Sequence, residues 1–183
     1  MQKLFIVDPS FKQLTVSKLR KLILAIASAI LLATAFIAAL IFLHIFRLPS
    51  IQISFLGLTN SLVHWMGWIG ALYIAFATPI LPIVKRKFSK YAMTALNVHV
   101  IGNLFAVLLI SIHFSHQVTR PASNYPDLGT GIVLYAAMLL LVSTGFVLYS
   151  DIAKKYNRQL LFWHPAFALT FYIAIIIHII QGI

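Results

Sequence analysis

Five long apolar stretches, separated by short polar or basic segments, constrain the fold of this chain more than any other feature. Each has about 20 or more residues, enough for an α-helix to cross the hydrocarbon core of a bilayer. Hydrophobic residues make up 61% of the 183 residues, and charged residues only 9%. We therefore predict an all-α integral membrane protein, a bundle of five transmembrane helices that is multi-pass in the cell membrane and in contact with the lipid bilayer.

The bounds of the spans follow from the charged and Pro-rich segments between them. Residues 1–21 are expected to form a basic cytoplasmic tail, either as a short interfacial helix or as a disordered segment. Residues 22–183 are expected to form one transmembrane domain, in which Pro79 and Pro82 kink or end the second helix. The predicted spans are residues 22–46, 55–84, 91–116, 128–149 and 160–183.

The basic residues predict the orientation of the bundle. Of the 14 Lys and Arg residues, all but Arg47 and Arg120 lie in the first 21 residues, between spans two and three, or between spans four and five. Because cytoplasmic loops are enriched in Lys and Arg, the N-terminus is predicted inside and, after five spans, the C-terminus outside. Spans three and five then run parallel, both from the inside to the outside.

Charge and cysteine content exclude several classes of function. The formal net charge of +11 comes from basic residues at span ends, which form no binding face of their own, so no nucleic-acid partner is expected. The absence of Cys excludes disulfides, thiolate-ligated haem, iron–sulfur clusters and covalent c-type attachment of haem. Because nearly every residue falls in a span or a short loop, a flavin or nucleotide-binding domain is expected on another chain.

Two histidine pairs share one spacing. His99 and His113 lie fourteen residues apart in the third span, and His164 and His178 lie fourteen apart in the fifth. Fourteen residues are nearly four helical turns, so each pair lies on one face of its helix, with its members about 21 Å apart along the axis. Since these spans run parallel, His99 is expected to face His164 at the inner level, and His113 to face His178 at the outer level.

These pairs predict two b-type haems, bound by His99 and His164 at the inner level and by His113 and His178 at the outer level. An imidazole in hydrocarbon is costly without a partner, and haem iron accepts two facing imidazoles as axial ligands. Any one of these histidines alone is more typical of a hydrogen bond to a neighbouring helix. Copper or zinc is less favoured, because such sites gather ligands within one or two turns or include thiolate or carboxylate groups.

Further polar residues fall toward the outer end of the bundle. An alternative arrangement loses one haem, with His64 replacing a ligand near the level of His113. The outer histidines also offer the proton-accepting groups that a quinone or quinol site would need. Each of them alone is more typical of a surface or hydrogen-bonded histidine. The candidate outer mouth consists of His44, His64, His116, Tyr125 and Asp127.

Small and basic residues near the predicted ligands give weaker support for haem binding. Gly102 and Ala106 would let a flat macrocycle approach the third helix, and ordinary close helix packing explains them equally well. Arg and Lys at the span ends are placed where haem propionates need cationic donors, although the orientation rule alone would put them there.

Two stretches of the chain resemble the ferric-reductase-like transmembrane domain. The first has an apolar helix that ends in Thr-Pro, a basic loop, and then His, Gly and His on the next helix, in GWIGALYIAFATPILPIVKRKFSKYAMTALNVHVIGNLFAVLLISIHFSH. The second runs from Gly131 to Ile180, with TGFVLYS, a basic loop, WHPAF and IIIHII, and is similar to that domain's fourth and fifth helices. The chain departs from the family in lacking a sixth helix and the flavin and nicotinamide domain of the larger members. A more distant similarity to cytochrome b remains open.

The resemblance implies a role in electron transfer. The family includes ferric reductases, NADPH oxidases and the haem subunit of bacterial methionine-sulfoxide repair systems, and it implies the same four haem ligands as the spacing. The chain is thus expected to be a di-haem b cytochrome that moves single electrons across the membrane as a subunit of a larger redox system. The expected partner is a flavoprotein, a ferredoxin-like protein or another cytochrome, with a quinol as the competing donor.

No residue of the chain is predicted to be catalytic, so it is not expected to be a complete enzyme alone. The alternative is a non-redox structural or anchoring subunit of a membrane complex, in which the histidines bridge helices and no cofactor binds.

Overall fold

The computed structural model describes the backbone of residues 9–120 and 128–182 and the side chains of residues 18–120 and 129–181. Five long helices and one short β-hairpin contain most of these residues. All five helices in these ranges are long and apolar enough to cross a membrane, which confirms the prediction of five long apolar helices. The helices are α1 (Pro9–Phe42), α2 (Leu62–Lys87), α3 (Ala92–Val118), α4 (Leu128–Ser150) and α5 (Asn157–Gly182), and the strands are β1 (Gln52–Phe55) and β2 (Leu58–Ser61).

The ends of the last three helices lie within three residues of the predicted spans, and the largest differences occur in the first two. Helix α1 begins at Pro9, so the backbone is helical across the predicted boundary between tail and first span at residue 21. Helix α1 ends at Phe42, four residues before the predicted end.

A β-hairpin occupies the segment where the second span was predicted to begin. Strands β1 and β2 pair with Phe55 opposite Leu58, which leaves Leu56 and Gly57 as a two-residue turn. Both turn residues have positive φ, 50° and 81°, as a tight hairpin of this length requires. The Ser61 side chain then accepts a hydrogen bond from the backbone N–H of His64 and caps α2.

Helix α2 continues through Pro79 and Pro82 to Lys87, so neither proline ends it as had been considered. Pro79 has no N–H to donate to the carbonyl of Ala75, four residues earlier. The Tyr172 hydroxyl of α5 donates to that carbonyl over 2.7 Å. A neighbouring helix therefore satisfies the backbone group that the proline leaves free.

The helices pack mainly as two hairpins. Helix α2 lies antiparallel against α3, α4 lies antiparallel against α5, and α1 packs on α3. Close approach of α2 and α3 depends on Gly70, where a Cβ would lie 2.8 Å from the carbonyl oxygen of Ala106. The centre of the bundle is a packed apolar layer in which Phe171 and Met138 are fully buried.

Polar contacts join three helices at the end of the bundle where α4 stops. The Arg20 guanidinium of α1 lies 2.8 Å from the Asp151 carboxylate and donates to the carbonyl of Tyr149. That carbonyl belongs to the last turn of α4, where a cation is stabilising because the helix dipole is negative there. The Tyr149 hydroxyl in turn donates to Asn97 of α3 over 3.0 Å.

Candidate functional site

His99 and His164 line one cavity of about 380 Å³ between the two helical hairpins. The rest of its wall is mostly aliphatic and aromatic, with a few polar groups. Lys85 brings a positive charge to the wall, and Asn103 and Asn157 bring amides. The sequence-based pairing of these two histidines thus corresponds to one shared cavity. The apolar part of the wall includes Ile74, Leu81, Leu104, Val142, Phe146 and Leu161.

His113 and His178 line a second, smaller cavity of about 110 Å³. A third imidazole, that of His64, is also in its wall. The His64 and His113 rings meet edge to face with their centroids 5.4 Å apart. This cavity therefore holds the second predicted pair together with the residue considered as an alternative ligand. Its other lining residues are Gly67, Trp68, Ala71, Ile110, Leu134, Phe171, Ile175 and Ile179.

Three of the four paired histidines have their Nδ1 atom held by the antiparallel neighbour of their own helix. His113 Nδ1 donates to the carbonyl of Val63 over 3.1 Å, and His164 Nδ1 donates to that of Leu141 over 3.1 Å. His178 Nδ1 lies 3.2 Å from the Thr130 hydroxyl. A neutral imidazole that donates from Nδ1 keeps the lone pair of Nε2 free, which is the arrangement found in metal-ligating histidines.

A Thr-Gly pair that occurs twice on α4 forms the wall against which the α5 histidines lie. Thr144 Oγ1 is 3.2 Å from His164 Nδ1, and Thr130 makes the equivalent contact to His178. The two Thr-Gly pairs, Thr130-Gly131 and Thr144-Gly145, are fourteen residues apart, the same spacing as the two histidines. The sequence interpretation missed this repeat, although it is visible as GTG and STG in the fourth span.

Glycines leave the space that the histidine rings fill. A Cβ on Gly145 would lie 2.9 Å from His164 Cε1, and one on Gly67 would lie 2.8 Å from His113 Cγ. Real Cβ atoms do not approach so closely, so a side chain at either position would displace the ring. Neither glycine was identified from the sequence.

Gly102 and Ala106 have a different role from the one considered for a macrocycle. A Cβ on Gly102 would lie 1.8 Å from the Tyr73 hydroxyl oxygen, so this glycine makes room for a side chain of α2. Ala106 is buried in the central apolar layer. Neither residue lines the two histidine cavities, so close helix packing, the other explanation offered, accounts for both.

The surroundings of His99 differ from those of the other three histidines. The Asn103 amide nitrogen lies 3.3 Å from His99 Nδ1 and 3.2 Å from Nε2, one helical turn along α3. Within the described residues, the side-chain oxygens of Asn103 and Asn157 are buried without a hydrogen-bond partner. Both amides line the cavity, so it contains polar atoms that a bound group would be able to satisfy.

The candidate outer mouth is only partly assembled in the described residues. His64 lies in the His113–His178 cavity, whereas His44 follows the end of α1 with a φ of 57°. His116 lies in the last turn of α3, and its buried Nδ1 has no partner among the described groups. Tyr125 and Asp127 lie outside the described residues. The prediction of a shared mouth therefore remains untested.

No family model, curated protein or solved structure matches the chain. The similarity to the ferric-reductase-like domain therefore rests on the residues quoted above.

The nitrogen donors in the two cavities are mainly imidazoles. Among the described residues, no group of three or more His, Asp or Glu side chains is placed to hold an ion. Each cavity contains one imidazole from α3 and one from α5, and the smaller cavity also contains that of His64. Two imidazoles are what a haem needs from the protein in a bis-histidine site, since its porphyrin supplies the other ligands.

Proposed function

We propose that this chain is a di-haem b-type membrane cytochrome in which His99 and His164 ligate the first haem and His113 and His178 ligate the second haem. The observation that carries the proposal is that histidines with the same spacing on two helices come together in pairs, one pair in each of two cavities. The fourteen-residue intervals on α3 and α5 bring one histidine from each helix into each of two cavities. Unrelated hydrogen-bonded histidines would have no reason to be paired in this way at both levels.

The ring orientations support ligation. Hydrogen bonds from Nδ1 to Val63 and Leu141 fix the tautomer and direction of the His113 and His164 rings. Outer hydrogen bonds of this kind orient a ligating imidazole and raise its basicity. The chain's own contribution is to hold these rings in place and to surround them with apolar side chains that exclude water.

Charged and amide groups support the placement of the haem edge in the His99–His164 cavity. A haem carries two propionates, which require cationic or hydrogen-bonding partners. Lys85 would supply the charge, and the Asn157 amide would supply a hydrogen-bond donor. Both lie near the helix ends that the orientation rule assigns to the cytoplasm.

The proposed activity is transfer of single electrons across the cell membrane, which is the chemistry that bound haems supply. We place the N-terminus in the cytoplasm and the His99–His164 cavity on the cytoplasmic half. The basic residues after α2 and α4 would then face a cytoplasmic redox partner, a flavoprotein, ferredoxin-like protein or cytochrome of acidic surface. The chain would work as a subunit of a larger redox system.

The test is the haem content and redox titration of the purified chain. We expect two low-spin b-type components per chain, each with the spectrum of bis-imidazole ligation. Protein purified from haem-supplemented cells with no b-type spectrum would refute the proposal. A single component would refute the assignment of two sites.

A second candidate function is a structural or anchoring subunit without cofactor. One observation favours it: the rings of His113, His164 and His178 already have hydrogen-bond partners on neighbouring helices. In that case His→Ala substitutions would weaken the bundle, and the visible spectrum would stay empty in every variant.

A further inference from the structure

An apolar groove of about 790 Å³ lies between α2 and α3. We name it the α2–α3 groove. Phe76 and Val98 belong to its wall and are 67% and 59% exposed, so the groove opens on the surface of the bundle. Because both helices are apolar enough to span a membrane, lipid hydrocarbon would contact this opening.

The groove is long enough for an acyl chain. Along α2 its wall extends from Leu72 to Val84, and this stretch of helix rises about 18 Å. One leaflet accounts for half of a hydrocarbon core that is about 30 Å thick. An acyl chain in the groove would therefore lie along protein over the full depth of its leaflet.

One end of the groove lies at the basic loop between α2 and α3. Val84, Phe88 and Tyr91 form this end of the wall, and both rings are exposed. Residues 85–90 contain four Lys or Arg residues and no Asp or Glu. The surface thus changes from apolar to positively charged along the groove, in the order in which a phospholipid changes from acyl chain to phosphate.

Two lysines of this loop are placed beside the end of the groove. Lys87 follows Val84 by three residues on α2, so it continues the stripe of residues that lines the groove. Lys90 Nζ lies 4.8 Å from the centre of the Tyr91 ring, which is part of the wall. Both lysines are exposed.

The charge of these lysines is not used inside the described part of the chain. Among the side chains that the structure describes, Asp151 is the only carboxylate, and it lies 2.8 Å from Arg20. Lys87 and Lys90 therefore remain available to a negative group at the membrane surface. Basic residues next to a membrane span attract anionic lipid head groups.

We propose that the α2–α3 groove binds an acyl chain of an anionic phospholipid whose phosphate lies beside Lys87 and Lys90. The apolar wall selects the chain, and charge complementarity at its end selects the anionic head group. Binding requires only residues of α2, α3 and the loop between them. The inference therefore rests neither on bound haem nor on the direction in which the chain crosses the membrane.

The test is photolabelling of the purified full chain in phosphatidylcholine nanodiscs. The probe is phosphatidylglycerol with a diazirine on one acyl chain, and peptide mass spectrometry locates the labels. We expect labels concentrated between residues 72 and 99, at a level at least about tenfold above that of phosphatidylcholine carrying the same diazirine chain. Equal labelling by the two probes, or labels spread evenly over all exposed helix faces, would overturn the proposal.

Competition tests for a different occupant. Unlabelled phosphatidylglycerol should displace the probe from the groove, whereas the same amount of decylubiquinone should not. Stronger displacement by decylubiquinone would show that the groove prefers a quinone and would overturn the assignment to a phospholipid.

A pair of double variants separates this site from a general attraction of anionic lipid to basic loops. Lys87→Gln combined with Lys90→Gln should lower labelling by phosphatidylglycerol to the level of phosphatidylcholine. Lys154→Gln combined with Lys155→Gln removes the same charge before α5 and is the matched control, which should label as the parent does. Equal losses in the two double variants would contradict a specific site.

A further substitution tests the apolar wall without changing charge. Ala95→Trp fills the groove and should abolish labelling there by both lipid probes. Val133→Trp, at an exposed position of α4, is the control and should leave labelling of the groove unchanged. Undiminished labelling in Ala95→Trp would show that the chain does not lie in the groove.

The haem spectrum is recorded on the same samples, so the two proposals fail independently. Two haem components without groove labelling would defeat this inference and leave the proposed function intact. Labelling of the groove by phosphatidylglycerol in a chain that binds no haem would support the lipid site and refute the cytochrome.

Discussion

Each of the two histidine cavities pairs one histidine of α3 with one of α5, but the side chains around the two pairs differ. The His99–His164 cavity, at about 380 Å³, has Lys85 and two amides in its wall. The His113–His178 cavity, at about 110 Å³, has a third histidine and the large rings of Trp68 and Phe171 in its wall. Equal spacing therefore fixes where the ligands lie, whereas the neighbouring side chains decide how much room and which charges a bound group meets.

The largest expected effect is the loss of one haem at a time. His164→Ala should remove one b-type component and leave the other, and His178→Ala should do the reverse, because each cavity has its own pair of imidazoles. Redox titration with haem quantification measures both outcomes. His44→Ala, outside both cavities, is the control and should keep two components. Loss of both components in every single variant would contradict two separate sites.

The next largest effect on haem occupancy is expected from one of two glycines on α4 that lie against the α5 histidines. Gly145→Ala places a Cβ 2.9 Å from His164 Cε1, whereas Gly131→Ala places one 3.5 Å from His178 Cε1, an ordinary contact distance. A ligating ring is fixed by its iron and cannot move away freely. We expect Gly145→Ala to lower occupancy of the first haem at least about tenfold, since a misplaced ligand costs more than one hydrogen bond.

Gly131→Ala is the matched control for that substitution and should leave occupancy of the second haem nearly unchanged. Haem titration of the two variants, monitored at the absorbance maximum, gives the comparison. Equal losses in both would mean that the spacing between ring and glycine does not govern the sites.

His64 distinguishes the smaller cavity from the larger. If His113 and His178 are the ligands there, His64→Ala should retain both haem components and change only the reduction potential of the second, because an imidazole beside a ligand alters its electrostatics. The measurement is a potentiometric titration of both components. Loss of the second component in His64→Ala, with its retention in His178→Ala, would reassign the ligand to His64.

A smaller difference is expected between the two threonines that contact α5 histidines. His164 has both the Leu141 carbonyl and Thr144 as partners, whereas Thr130 is the partner found for His178. Thr130→Val should therefore weaken haem affinity about tenfold, and Thr144→Val should weaken it less. Competition with a haem-binding apoprotein measures both affinities. The opposite order would show that the backbone carbonyl does not hold His164.

The smallest effect is expected away from both cavities. Tyr172→Phe leaves the Ala75 carbonyl without the donor that replaces the missing N–H of Pro79. We expect a loss of about 1 kcal/mol in the free energy of unfolding, with both haem components unchanged. Unfolding in mixed micelles provides the measurement, and Thr170→Val, an exposed position on the same helix, serves as the control.

The sequence predicted the spans and the histidine pairing because both depend on one-dimensional patterns. Apolar length identifies a membrane helix, and five spans make the third and fifth parallel. His99 and His164 then fall at one level, and the structure places them in one cavity.

Features that depend on the register between helices were not predicted. The Thr-Gly repeat acquires its meaning only when α4 lies antiparallel on α5, so that Thr130 meets His178 and Thr144 meets His164. Gly102 was considered as space for a macrocycle beside the third helix, but Tyr73 of α2 fills that space. The hairpin before α2 was missed because its apolar residues resemble the start of a span, and only the Leu56-Gly57 turn indicates otherwise.

The packing of the bundle has a consequence for its assembly. The α2–α3 hairpin contains His99 and His113 together with their hydrogen-bond partners, Asn103 and the Val63 carbonyl. The α4–α5 hairpin likewise contains His164 and His178 together with their partners. Each hairpin therefore contains one histidine of each proposed pair, and the second histidine of each pair lies on the other hairpin. In the proposed cytochrome, each haem would bind one histidine from each hairpin and so hold the two hairpins together. The supply of haem would then limit how many bundles assemble.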